Sequence, residues 1–131
     1  MKTLGSIESF TGGLFASKIV ETPGASKYFK GSLVTYSNEL KEKLGIDTSN
    51  GVVNKEVALQ MATKGRDYLG VDTCVSFTGN AGPDTLDNKE VGLVYIAIND
   101  EIFELRFNGD RNSIRNQAVE FALNKINNIL I

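Results

Sequence analysis

Three short segments hold most of the side chains able to do chemistry. Glu8-Ser9-Phe10-Thr11-Gly12-Gly13 places two hydroxyls and two glycines ahead of a helical pattern. Glycine lets a backbone approach a ligand closely, and a helix start offers unpaired N–H groups to an oxyanion or phosphate. Ser and Thr before a helix are also ordinary N-caps, so this segment alone has two readings. Tyr36-Ser37-Asn38-Glu39-Leu40-Lys41 brings an amine into the first turn of a short helix. There the helix dipole disfavours a cation, and burial would lower its pKa further. A lysine neutral near pH 7 can serve as a general base for a serine nucleophile. The competing reading is a solvated lysine, since Glu39, Glu42 and Lys43 beside it are all charged. Thr78-Gly79-Asn80-Ala81-Gly82-Pro83 is a third, glycine-rich loop.

These loops need a scaffold, and the pattern around them supplies one. Thr3–Ile7, Ser32–Tyr36 and Thr73–Phe77 read as strands, and Val91–Ile98 with Ile102–Phe107 reads as a hairpin through Asn99-Asp100. A helix is expected from Gly13 to Glu21, with Leu14, Phe15 and Ile19 inward and Pro23-Gly24 ending it. A short helix follows, capped by Ser37 or Asn38 and closed by Gly45. Asn54–Leu69 carries Val57, Ala58, Met61, Ala62 and Tyr68 at core spacing, and Asn112–Leu130 carries Ile114, Ala118, Phe121, Ala122 and Ile129. Alternating strands and helices followed by a hairpin specify an α/β sandwich with a mixed sheet. The three loops then fall at the carboxyl ends of strands, where open α/β sheets bind ligands.

Composition narrows the chemistry. The 131 residues fit one domain, 1–131, with 41% hydrophobic and 23% charged residues. Fourteen basic and sixteen acidic side chains leave a net charge of −2, which argues against a nucleic-acid or anionic-membrane surface. The absence of histidine excludes Ser-His-Asp and Cys-His machinery and any His-ligated metal. Lysine is then the natural base for a serine. The single cysteine, Cys74, closes no intramolecular disulfide and suits a reducing, cytoplasmic setting. No apolar run has the length of a spanning helix and no signal-peptide core is present, so a soluble protein is expected. Arg111 and Arg115 lie at i and i+4 on the last helix, spaced either to clamp a phosphate or to pair with Asp110 or Glu120.

The blocks E-S-F-T-G-G-L at 8–14, P-G-A-S-K-Y-F-K-G-S-L-V-T-Y-S-N-E-L-K at 23–41 and G-V-V-N-K-E-V-A at 51–58 occur in order with three more. Those are T-G-N-A-G-P at 78–83, V-G-L-V-Y-I-A at 91–97 and G-D-R-N-S-I-R-N-Q-A-V at 109–119. Together they cover nearly the whole chain, which resembles the CinA C-terminal domain family. The resemblance implies a three-layer α/β/α sandwich with a mixed, mostly parallel sheet including one antiparallel strand. It also implies a metal-free, cofactor-free amidohydrolase that deamidates nicotinamide mononucleotide to nicotinate mononucleotide and ammonia. Ser9 matches the proposed nucleophile and Lys41 the proposed base, with Tyr36 close to them; protonated Lys41, or Tyr36 as a relay, would donate to the departing ammonia.

On that reading, N–H groups around Thr11, Gly12 and Gly13 hold the oxyanion. Asn38, Thr78, Gly79, Asn80 and Gly82 contact the ribose or phosphate, and Arg111 and Arg115 clamp the phosphate. The partner is a small nucleotide rather than nucleic acid or membrane. Two features depart from the family pattern. Phe10 stands where cysteine is usual, and the eight residues before Ser9 leave no room for the family's first helix. An apolar strip left bare by that helix would favour a homo-oligomer. A second reading is a nucleotide-binding homologue without turnover.

Overall fold

The computed structural model describes residues 2–130 of the chain, and the side chains of 2–128. The described residues form five strands and four α-helices, in the order β1 (Leu4–Glu8), α1 (Leu14–Ile19), β2 (Phe29–Val34), α2 (Asn38–Lys43), α3 (Lys55–Leu69), β3 (Thr73–Gly79), β4 (Leu93–Ile98), β5 (Glu101–Arg106) and α4 (Arg111–Leu130). The sheet order is β2-β1-β3-β4-β5. β1 pairs parallel with β2 and β3, whereas β4 pairs antiparallel with β3 and β5. Four strands therefore share one direction and β4 alone runs against them, as the expected mixed, mostly parallel sheet requires.

The first crossover, through α1, runs from β1 outward to β2, and the second, through α2 and α3, runs back from β2 past β1 to β3, in the opposite direction. Right-handed connections then put their helices on opposite faces of the sheet. α1, with α4, covers one face, where Phe15, Ile19, Ile114, Ala118, Ala122 and Ile126 pack on Val75, Phe77, Val94 and Ile96. α3 covers the other, where Val57, Ala58, Met61 and Ala62 pack on Ile7, Cys74, Tyr95 and Ala97. A crevice opens at the carboxyl ends of β1 and β3, where the winding reverses. Ser9, Thr35 and Thr78 all reach its level. Ser9 N donates to Phe77 O, and Thr35 N donates to Glu8 O.

Several boundaries differ from expectation. β2 begins at Phe29, three residues before Ser32, and Thr35 and Tyr36 lie beyond its end in the crevice loop. On α3 the expected core residue Tyr68 is 69% exposed. The inward row runs Val57, Met61, Gly65 and on to Leu69, so the turn after Gly65 sends Leu69 toward the sheet and Tyr68 outward. Phe121 and Leu14 are half-buried rather than buried, and Ile129 lies outside the described side chains. Ser37 is the cap of α2, its Oγ accepting from Leu40 N at 3.1 Å. No described helix is long and apolar enough to cross a membrane.

α3 sits close to the sheet because Gly65 has no side chain. A Cβ there would fall 2.3 Å from Ile7 Cγ1 and 3.0 Å from Cys74 Sγ, both fully buried. Gly65→Ala gains roughly 1 kcal/mol in helix propensity but overpacks a site with no room, at a cost of about 1–3 kcal/mol. We expect a net loss of stability in urea unfolding; a variant as stable as the parent would show that α3 can move off the sheet freely.

Candidate active site

Immediately after β1 the chain turns sharply. Gly12 N donates to Ser9 O at 3.1 Å, closing a four-residue turn with Phe10 and Thr11 at its centre. Gly12 and Gly13 then take φ of 59° and 98°, left-handed values that side-chain-bearing residues rarely adopt. Ser9 Oγ is left at the mouth of the sheet on a residue 9% exposed.

The carboxylate of Glu8, itself fully buried, organises the start of α1. It accepts from Gly13 N (3.0 Å), Phe15 N (3.1 Å) and Ala16 N (3.0 Å), and from the hydroxyls of Ser6 (3.2 Å) and Ser32 (3.1 Å). A buried charge met by five donors at a helix N-terminus is well compensated. This corrects one expectation. The N–H of Gly13 is committed to Glu8 and that of Gly12 to Ser9 O, so neither is free for an oxyanion. Among the described residues, the main-chain N–H groups of Phe10 and Thr11 meet no acceptor.

Lys41 is 1% exposed and reaches Ser9 across 32 positions of sequence. Its Nζ lies 2.9 Å from Ser9 Oγ, 2.7 Å from Thr35 O and 3.2 Å from Tyr36 O. Burial pushes the amine down to about 8. The dipole expected to assist contributes little, because Lys41 stands in the last turn of the six-residue α2 and not at its start. Thr35 O and Tyr36 O can only accept. In the neutral amine two N–H bonds satisfy these carbonyls, and the lone pair is left facing the Ser9 hydroxyl. Among the described residues no carboxylate pairs with Lys41; its polar partners are a hydroxyl and two carbonyls.

A cleft of about 500 Å³ opens over this pair, within the range of small-molecule sites of roughly 300–1,000 Å³. Ser9 and Phe10 line it from the β1–α1 turn, Tyr36, Ser37 and Asn38 form one wall, and Gly79, Asn80, Ala81, Asp84, Thr85 and Leu86 the other, with Arg111 beside them; Gly82, expected to contact the ligand, is not among the lining residues. Tyr36 is 60% exposed, and its hydroxyl accepts from Arg111 Nη2 at 3.1 Å. Arg111 Nη1 donates to Gly82 O, so this arginine bridges the two walls. Asn38 and Gly79 line the cleft as expected.

Three other residues, Thr78, Asn80 and Arg115, do something different from the substrate contacts expected of them. Thr78 lies within β3 on its α3 face, and its hydroxyl donates to Val52 O at 2.7 Å. Asn80 borders the cleft, but its amide nitrogen donates to the carbonyls of Leu86, Lys89 and Glu90 and its oxygen accepts from Leu86 N. It is the internal fastener of the 80–92 loop. The hydroxyl of Thr11 is fully buried, with no partner among the described residues. Arg115 neither lines the cleft nor pairs with Asp110 or Glu120. It donates instead to Phe10 O (3.1 Å) and Thr11 O (2.9 Å). Asp110 caps α4, accepting from Ser113 N at 2.9 Å. The cleft wall also includes Asp84, Thr85 and Leu86, to which sequence patterns assign no role.

The fold and the site together define an open, doubly wound α/β domain with a buried serine–lysine pair at its switch point. The chain belongs to the CinA C-terminal domain family, whose pattern matches residues 1–130. It is 40% identical over 138 residues to a protein of Bacillus pumilus named for competence-damage induction, covering 98% of this chain and 33% of that one. A Geobacillus relative of the same name is 38% identical over 92% of this chain and 32% of its own. The chain thus spans about a third of the curated relatives it matches. A CinA superfamily structure from Klebsiella pneumoniae superposes with a TM-score of 0.91 at 26% identity, over 95% of this chain and 84% of that one. A competence/damage-inducible protein from Agrobacterium tumefaciens gives 0.88 at 34% identity, over 95% and 83%.

Glu8→Gln exchanges an acceptor for an NH2 group that must face N–H and O–H donors. Losing charge-assisted bonds and stranding donors should cost about 2–4 kcal/mol in urea unfolding. A loss below about 0.5 kcal/mol would mean that the carboxylate is not what holds the start of α1.

Proposed function

We propose that this domain is an amidohydrolase that deamidates nicotinamide mononucleotide to nicotinate mononucleotide and ammonia, with Ser9 as nucleophile and Lys41 as its base. The observation that carries the reading is the 2.9 Å contact between Lys41 Nζ and Ser9 Oγ, made by an amine whose other two partners are acceptor-only carbonyls. A base must reach the proton it takes, about 2.6–3.2 Å away, and have a pKa near the working pH. Family membership supports the same site.

Neutral Lys41 takes the Ser9 proton as Oγ attacks the carboxamide carbon, giving a tetrahedral intermediate and an ammonium. The ammonium returns that proton to the leaving nitrogen, ammonia departs, and an ester to Ser9 remains. Water then attacks the ester while Lys41 accepts its proton, and Ser9 leaves with that proton as the carboxylate product forms. Tyr36, with its hydroxyl engaged by Arg111, fits a role at the cleft wall better than a proton relay. Arg111 is the cation placed to meet a substrate phosphate, exchanging its bonds to Gly82 O and Tyr36 Oη for phosphate oxygens.

The test is ammonia release from nicotinamide mononucleotide as a function of pH. Only the neutral amine is a base, so kcat/KM should rise about tenfold per unit below pH 8 and level off above it, following the lowered pKa of Lys41. A profile flat from pH 6 to 9 contradicts the assignment. Lys41→Arg keeps the charge but loses the lone pair, since guanidinium does not deprotonate in this range, and should fall at least about 1,000-fold together with Ser9→Ala. Either variant turning over like the parent would refute the pair.

A further inference from the structure

We propose that Arg115 is the positioning residue of an oxyanion hole formed by the free N–H groups of the Ser9–Gly12 turn. The inference rests on the amidase reading and assigns the part of the site that Glu8 makes unavailable at α1. In a turn closed by Gly12 N and Ser9 O, the two central N–H groups, those of Phe10 and Thr11, take no part in the closing bond. Both are unpaired among the described residues, on a segment where Phe10 is 6% exposed and Thr11 fully buried. Buried N–H groups are almost always satisfied, so a pair left free beside a nucleophile is available for charge that develops during reaction.

The closing bond from Gly12 N to Ser9 O fixes the peptide that carries the Phe10 N–H, and Arg115 fixes the one that carries the Thr11 N–H. The arginine Nε holds Phe10 O and its Nη2 holds Thr11 O, while Nη1 is tied to Asn112 Oδ1 at 3.1 Å. The C=O and N–H of a trans peptide point in opposite directions. With Phe10 C=O drawn toward the guanidinium, Thr11 N–H faces away from it. Arg115 lies off the cleft whereas Ser9 and Phe10 line it, so the side away from the arginine is the side on which a tetrahedral oxygen would develop. The planar fork of arginine spans two successive carbonyls; a lysine offers one point charge and cannot. The positive charge also polarises the Phe10–Thr11 peptide, making its N–H a better donor. The i, i+4 spacing of the two arginines thus separates their tasks, with Arg111 on the cleft and Arg115 behind the nucleophile turn.

The test compares Arg115→Met, Arg115→Lys and Asn112→Ala with the parent. Ammonia release is read as kcat and KM, and Ser9 is read by its rate of labelling with a fluorophosphonate. In that labelling Oγ displaces fluoride from phosphorus and the P–O group occupies the same hole without any nucleotide. Loss of a preorganised donor lowers kcat, so Arg115→Met should reduce both kcat and the labelling rate by about 10- to 100-fold, with KM within about twofold. The midpoint of the pH profile, which reports Lys41, should stay in place. Arg115→Lys should recover only part of the loss, and Asn112→Ala, which frees one nitrogen of the fork on an exposed surface, should fall a few-fold. A rise in KM with kcat unchanged would instead make Arg115 a phosphate ligand and overturn the proposal, as would labelling at the parent rate. If Arg115→Met does not fold, labelling of Asn112→Ala and Arg115→Lys at the parent rate overturns it equally. If the parent labels at Ser9 yet releases no ammonia, the substrate assignment fails, while the labelling series still decides the role of Arg115.

Discussion

A lysine amine sealed from water, with one hydroxyl and two carbonyls for partners, is the constraint on which this structure turns. Taking an ammonium out of water is costly unless an anion accompanies it, and Lys41 is paired with none. The remaining solution is to lose the proton, and burial does bring the amine down to about 8. Once neutral, it has the stereochemistry of a base. Two acceptor-only carbonyls occupy its N–H groups, and its lone pair has only the Ser9 hydroxyl to meet. A chain without histidine obtains a group titrating near neutrality by desolvating an amine.

Holding that pair together requires both ends of the molecule. The reversal of winding at β1 brings the β1–α1 turn and the β2–α2 loop to one crevice, where Ser9 and Lys41 meet although 32 residues separate them. The buried Glu8 carboxylate satisfies the first N–H groups of α1 and so fixes the helix relative to the strand before it. From the far end of the sequence, Arg115 grips the Ser9–Gly12 turn across 105 and 104 positions. Asn80 keeps the opposite wall in one shape by bonding the backbone of its own loop. Each of these groups is polar and serves the backbone around the site, whereas Ser9, Asn38 and Arg111 line the cleft itself.

Much of this was legible in the sequence, for identifiable reasons. A hydroxyl-glycine turn between a strand and a helix and a lysine at a helix start are local signals that flag Ser9 and Lys41, but they fit a cap and a solvated amine as well, and only the family resemblance chose between the readings. The strand and helix order follows from apolar periodicity, and the mixed sheet it implies is observed, although the strand order β2-β1-β3-β4-β5 is not in the pattern. Local periodicity errs where two neighbours compete for one position, as with Tyr68 and Leu69 at the end of α3. Residues whose role depends on distant backbone are beyond such signals. Arg115 reads as half of a phosphate clamp because its helical spacing from Arg111 is visible and its partners near residue 10 are not. Thr78 reads as a loop ligand because the extra two residues of β3, which turn its hydroxyl toward Val52, do not show in the pattern. Of the two causes expected to lower the amine, the helix dipole and burial, it is burial that acts.

The most direct measurement is an NMR titration of the Lys41 side chain, followed at its ε-carbon in protein labelled at lysine and assigned by comparison with Lys41→Arg. A midpoint near 8, well below the ordinary lysine value of about 10.4, is the predicted result. A midpoint at the ordinary value would show an amine that stays charged and solvated, and the base assigned to Ser9 would be lost with it.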